Sequence, residues 1–495
     1  MEAATLYAEG LACPPRYTHK SAEGQPVGES AERAHFGAPA FIRHTLLRIP
    51  LAETIGKGVL ASILGAVAAQ CVSFLGMLIA GRILGREVYG RFAIVQTTVV
   101  ALAGLSSLGL GVTATKCASE YRGADPARAG RTLGLSSLAA LTAAGFCGLV
   151  LWAFAPSIAA QVLAAPGLAP ELRLASFFVF FTTLNGYQIG ALTGFAAFAR
   201  VARITALGSV PSLALTYFLT RSHGLDGATS ALALQAFLLW ALNGIALRME
   251  CRSQGVTVCY AGAWKERHCL RTLSLPAAAS GFLASSAIWC GGAFLVRQQN
   301  GFREMALFSA ANGLRLIVMF LPNMFSRVTA PLMNGVLSTG DWRIYRQTFR
   351  VNVLLSGGSA AAGALAMMWG RSYILGLFGK DFRDPGGAVF VLLAATIVEA
   401  VASSLYQALF AHGRLWLHTV VISIWSAVLI AAAAFLTRYG AVGLAWAFLI
   451  AWLVCAALYA VLARRLHAPG AGRMKPRAIP APSDRPTPFR IRRIF

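Results

Sequence analysis

Long apolar stretches separated by short charged ones run through this 495-residue chain. Charges are costly in hydrocarbon, and one membrane-crossing helix takes about 20 mostly apolar residues. Cut at its charges, the chain leaves 58–81, 92–115, 132–153, 174–199, 204–220, 227–247, 272–296, 305–326, 351–370, 385–413, 415–437 and 439–463. The pattern predicts twelve transmembrane helices. Two of them hold a central charge, Arg315 in the eighth and Glu399 in the tenth. The fifth is short and carries Pro211, which makes it the weakest as a simple span. A membrane barrel is excluded, because barrel strands alternate apolar and polar positions over about 10 residues, whereas these stretches are continuously apolar.

Composition agrees. Charged residues are 13% of the chain, against about a quarter in soluble proteins, and mean hydropathy is +0.63. The expected fold is an all-α polytopic membrane protein. A net charge of +24 raises a nucleic-acid partner, and the position of the charge removes it. With the N-terminus in the cytoplasm, cytoplasmic segments hold 31 of the 43 Lys and Arg residues, outer loops hold 11, and Arg315 is the last. That asymmetry is the positive-inside pattern of a multi-pass cell-membrane protein with both termini cytoplasmic. Residues 1–40 read as a polar, disordered leader without a signal-peptide apolar core, 41–57 as a short interfacial helix. The basic, Pro-rich tail "RMKPRAIPAPSDRPTPFRIRRIF" reads as disordered and drawn to anionic headgroups. Cys251, Cys259, His268 and Cys269 share one loop, but their spacing fits no standard zinc pattern, so neither metal nor cofactor is expected.

One loop stands out. "GRILGREVYGRF" (81–92) places three arginines, a glutamate and three glycines between the first two helices. A related stretch, "VRQQNGFREMALF" (296–308), lies between the seventh and eighth. A shift of 216 residues carries Gly85 onto Gly301, Gly90 onto Ala306 and Phe92 onto Phe308, and brings Arg82 within one residue of Arg297. The same shift carries Gly224 onto Gly440 and Gly227 onto Gly443; Tyr187-Gln188 matches Tyr406-Gln407 at a nearby offset. These matches predict a duplicated six-helix unit. An even number of spans gives both copies the same orientation, as parallel repeats have. The expected division is a leader to 55, a first lobe over 56–250, a cytoplasmic linker over 251–271, a second lobe over 272–465 and a tail from 466. Two such lobes around a central cavity describe a transporter. The glycines suit tight turns. The arginines have two readings, as interfacial anchors or as donors at the cavity mouth for an anionic ligand.

"LIAGRILGREVYGRFAIVQT" (78–97) resembles the first outer loop of the polysaccharide-type flippases of the multidrug/oligosaccharidyl-lipid/polysaccharide exporter superfamily. "TKCASEYRGADPARAGRTLG" (115–134) is similar to their first cytoplasmic loop, and "YQALFAHGRLWLH" (406–418) to the end of their tenth helix. The resemblance covers about residues 56–465. It implies a task without bond chemistry: a polyprenyl-pyrophosphate-linked oligosaccharide is moved across the cytoplasmic membrane for O-antigen, capsule or exopolysaccharide assembly. The implied partners are that glycan lipid, membrane lipids and glycan polymerase or export machinery, with the chain itself monomeric. The family's basic cavity lining, including the eighth helix, fits Arg315.

Arg315 sits near the bilayer centre, where a lone charge costs at least about 2.5–3.5 kcal/mol. Arginine forks onto phosphate oxygens. The candidate pyrophosphate ligands are therefore Arg315, Arg297 and Arg82, with Asn312 on the same helix face as Arg315. Glu399 is equally central, and three readings stand for it: a partner for Arg315, a proton or cation site, or neither. Asn185, Gln188, Gln235 and Gln70 read as interhelical glue. A cation-coupled multidrug or small-solute exporter is the main alternative, weakened because the first six helices hold no central acid. A major-facilitator transporter shares the six-plus-six layout, but "DPARAGR" is a residue out of register with its loop. A membrane glycosyltransferase or ligase needs long loops with clustered acids, and the longest loop here is about 25 residues. No Gly-rich phosphate loop points to ATP.

Overall fold

A computed structural model describes residues 50–466 apart from 108, 124, 268–274, 327–328, 330–332, 334–341, 383, 385–386 and 412–414. Among the described residues ten continuous apolar helices are long enough to cross a membrane. Two of these are pairs that turn at a glycine. Pro50–Ser106 turns at Gly85 (φ 72°) into α1 (50–84) and α2 (86–106). Phe198–Ser253 turns at Gly224 (φ 58°, ψ −126°) into α5 (198–223) and α6 (225–253). The others are α3 (Pro126–Ser157), α4 (Ala169–Gly194), α7 (Leu275–Val296), α8 (Gly301–Val318), α9 (Trp342–Trp369), α10 (Ala388–Ala411), α11 (Leu415–Leu436) and α12 (Ala441–Leu466). Twelve spans result, as the charge-free gaps predict.

Three boundaries differ from the sequence expectation. The second span is broken: after Ser106 the chain turns through Gly109, in the left-handed region at φ 63°, and restarts as Leu110–Tyr121. Ser106 and Ser107 hydroxyls donate back to the Ala103 and Gly104 carbonyls, offering the backbone an alternative to the helix ladder. The fifth span is longer than its charge-free gap and passes Pro211 without a break, as membrane helices tolerate when neighbours satisfy the freed groups. α8 hitches at Met319 before continuing to 326. The expected interfacial helix over 41–57 is described only from Pro50, where it is continuous with α1; the leader and most of the tail lie outside the described residues.

Packing shows the duplication directly. In the first half α3 packs on α4, α4 on α5–α6, and α1–α2 on α5–α6; in the second α9 packs on α10, α10 on α12, and α7 on α11. Gly440 (φ 71°, ψ −149°) repeats the backbone of Gly224. Side chains cannot occupy that region without strain. Gly227 and Gly443 also match: a Cβ on either would lie 1.8 Å or 1.7 Å from the carbonyl of Leu219 or Leu436, at the end of the preceding helix.

The halves join where α1–α2 meet α7 and α8. One buried cluster runs from Ala80, Tyr89 and Ile94 through Leu295, Leu307 and Leu314 to Phe378, Leu392 and Leu444. A second, with Leu110, Leu133, Tyr187, Leu247 and Val256, holds first-lobe residues and the start of the following segment alone. Among the described residues the lobes thus share a core on the side of the 81–92 loop, while the second cluster stays with the first lobe. The segment after α6 packs along α3: the Cys259 N–H donates to the Gly130 carbonyl at 3.2 Å, and Glu266 pairs with Arg128 and Arg131 at 3.0 and 3.6 Å. Cys251 and Cys259 are buried and form no disulfide among the described residues, and His268 and Cys269 lie outside the described residues.

Candidate functional site: a buried ion pair below a closed loop

Arg315 occupies the last turn of α8 and Glu399 the middle of α10. The structure brings them together. Arg315 Nη1 donates to Glu399 Oε1 at 2.7 Å and Oε2 at 2.5 Å. Arg315 Nε donates to Asn312 Oδ1 at 2.8 Å, one turn earlier on the same helix. Each charged side chain is 13% exposed. Two charges taken out of water need good geometry to offset desolvation, and here both carboxylate oxygens are used. A guanidinium carries five N–H donors; Nη2 makes no hydrogen bond among the described residues, so one edge of the fork stays available.

Of the readings for Glu399, pairing with Arg315 is the one the geometry realises. Glu399 also lies near Cys455 of α12, which bonds to Tyr459. The Tyr459 hydroxyl lies 2.6 Å from His418 Nδ1, and the Tyr406 ring stands 4.0 Å from that imidazole. Of the polar groups read as glue, Gln188 and Asn185 bridge helices. With its side-chain amide oriented so that both ends are satisfied, Gln188 donates to the Trp240 carbonyl at 2.9 Å and accepts from the Trp240 indole at 3.3 Å. Its repeat partner Gln407 donates to the Ser326 hydroxyl at 2.6 Å and accepts from Asn352 and Thr329 at 3.2 Å. Asn243 donates to Asn185 at 2.8 Å.

Arg82 and Arg297 do not join Arg315. Both are exposed on the loop side, and Arg297 donates to the Gln161 carbonyl at 3.4 Å. The arginine that matters most in this loop is one the sequence reading passed over. Arg86 crosses between the lobes: Nε donates to the Arg303 carbonyl at 3.0 Å, Nη1 to the Asp381 carbonyl at 3.0 Å, and Nη2 to Glu304 Oε1 at 3.3 Å. Glu304 Oε2 in turn accepts the Ala441 N–H at 2.8 Å, at the start of α12, where the helix dipole favours an anion. Beneath this lock the Tyr89 ring packs against Phe378 and Phe382. Gly90 lies against the Phe302 carbonyl so closely that a Cβ would come within 1.7 Å of the oxygen. Trp289 Nε1 donates to Thr98 Oγ1 at 2.9 Å, about two turns deeper. The loop of small and charged residues is therefore an inter-lobe closure. Its signal in sequence was the glycine at 90, which permits backbone contact, and the one arginine lying between Gly85 and Gly90.

Comparison with known proteins fits this architecture. Residues 55–255 match the family model described as "Polysaccharide biosynthesis protein". The chain is 26% identical over 392 residues to the EPS I polysaccharide export inner membrane protein EpsE of Ralstonia nicotianae, covering 77% of this chain and 87% of that one. These likenesses support reading the chain as a polysaccharide-type flippase. It is a multi-pass membrane transporter and not an enzyme. Solved structures share the fold at low identity. An inward-facing multidrug resistance MATE family transporter of the MOP superfamily aligns with TM-score 0.69 at 16% identity, over 81% of this chain and 98% of that one. The lipid II flippase MurJ in an inward closed conformation aligns at 0.65 and 13%, over 82% and 87%.

Proposed function

We propose that this protein is a flippase that moves a polyprenyl-pyrophosphate-linked oligosaccharide from the cytoplasmic to the outer leaflet by alternating access of two lobes, 56–250 and 272–465. The termini face the cytoplasm, so the closed 81–92 side faces outward. The observation that carries the reading is Arg315: a guanidinium held among apolar helices with a free fork edge, two N–H groups on Nη2 suited to phosphate oxygens. Asn312 steadies it, and Glu399 keeps it neutralised until the ligand arrives. A pyrophosphate then takes over the arginine, and Glu399 is released.

The test is accumulation of lipid-linked glycan on the inner leaflet of cells that carry Arg315→Ala, Arg315→Lys or Glu399→Gln in place of the parent. Blocked export by Arg315→Ala, and by Arg315→Lys, which keeps a cation beside Glu399 and so the protein level but loses the fork, is the expected result. Normal export by Arg315→Ala removes Arg315 as the ligand. If the full deletion accumulates no glycan lipid, the lipid-linked substrate is wrong and a cation-coupled small-solute exporter takes its place.

A further inference from the structure

The start of α9 carries a second basic feature, remote in sequence from the ion pair. Arg343, Arg346 and Arg350 fall at i, i+3 and i+7, a single stripe of the helix. With Gln347 and Val351 they line a cavity of about 680 Å³. All three arginines are exposed, and α9 holds no Asp or Glu from Trp342 to Trp369. The helix then changes character. Val351, Leu354 and Leu355 are 46%, 73% and 46% exposed, an apolar surface that begins within about 6 Å of the arginines at 1.5 Å per residue. Charge above exposed hydrocarbon-facing side chains is the arrangement of a headgroup above acyl chains.

We propose that this cavity binds the phosphate headgroup of an anionic membrane lipid, of the class that carries two phosphodiesters on one headgroup, such as cardiolipin. Arginine grips phosphate through two parallel N–H···O bonds, and basic pockets beside membrane helices on the cytoplasmic side suit such lipids. Three guanidinium groups match two phosphates better than one. A soluble phosphate compound would use the arginines and leave the apolar stripe bare, whereas a lipid uses both. The site is distinct from the transport reading, because a bound lipid here needs no movement across the membrane.

The experiment uses the full chain in nanodiscs of neutral lipid and measures retention of added cardiolipin by native mass spectrometry. A contribution near one Debye-screened contact per arginine predicts about fivefold weaker retention for Arg346→Gln and about 100-fold for Arg343→Gln/Arg346→Gln/Arg350→Gln. The single variant keeps the reading testable if the triple variant inserts poorly. Arg464→Gln/Arg465→Gln, in the last turn of α12 on the same side, is expected to retain cardiolipin within about twofold of the parent. Equal weakening by that control, or no preference of the parent for cardiolipin over neutral lipid, overturns the site. Displacement by millimolar inorganic pyrophosphate assigns the cavity to a soluble anion, and displacement by polyprenyl pyrophosphate assigns it to the transported lipid. Either result overturns a resident-lipid site.

Discussion

Removing both members of the Arg315–Glu399 pair separates a structural role from a ligand role. Glu399→Gln leaves the guanidinium with neutral partners alone, Asn312 and the new amide oxygen, and Arg315→Gln leaves the carboxylate with none of its present donors. At 13% exposure each single change strands a buried charge, which costs about 3–5 kcal/mol. That is about two to three and a half orders of magnitude in the folded fraction. The double variant Arg315→Gln/Glu399→Gln strands neither charge, so its stability is expected within about 1 kcal/mol of the parent. Thermal loss of the monodisperse protein in detergent reads stability, and inner-leaflet glycan-lipid accumulation reads transport. The expected outcome is two unstable, inactive single variants and a stable double variant that still fails to export. A stable double variant that exports at the parental rate refutes the ligand role and leaves the pair as internal neutralisation.

The closure gives three further tests. Gly90→Ala places a methyl 1.7 Å from the Phe302 carbonyl, so the closed state is lost and spin labels at Ile83 and Gln299 are expected to move apart. An unchanged label distance would contradict the contact. Arg86→Gln removes a charge-assisted lock between partly buried groups, a change of about 1–2 kcal/mol. The same label pair should show the open population rise about 5- to 30-fold. Gly224→Ala and Gly440→Ala both force a side chain into a positive-φ region, at about 1–3 kcal/mol each. Gly440→Ala is expected to be the worse, because its Cβ would lie 2.5 Å from Glu304 Oε2, and the order of thermal midpoints checks this.

Span number was legible because it depends on one quantity, the distance between charges, and the bilayer makes that distance decisive. Helix ends were less legible. The break at Ser107–Gly109 depends on hydroxyls competing for two carbonyls, a local choice invisible to hydropathy. The Arg315–Glu399 contact was one of three open readings, since depth placed both residues near the centre while facing was unknown. Arg86 was missed for a different reason. Its neighbours Arg82 and Arg91 have the same composition around them, and only tertiary position shows that Arg86 alone reaches Glu304 and Asp381. Arg82 is exposed instead, and Arg91 turns to Glu87 at 3.1 Å on its own helix.

The duplication also bears on why the buried charges exist. Around Phe92 and Phe308 the two copies are offset by 216, so Arg315 corresponds to Val99, which is 1% exposed. Around Gln188 and Gln407 the offset is 219, so Glu399 corresponds to Phe180, whose ring packs 5.3 Å from Phe181. The first lobe therefore builds the same helix pairings, the same glycine turn and the same close contacts with apolar residues where the second lobe places a charged pair. A six-helix unit of this kind folds without the pair. Buried charges that a fold can do without carry a desolvation cost with no structural return, and violations of core rules concentrate at working sites. Asn312 corresponds to Gln96, also polar, so what distinguishes the second lobe is charge. That asymmetry within one repeated architecture favours Arg315 and Glu399 as the chemistry of the site over Arg315 and Glu399 as its scaffold.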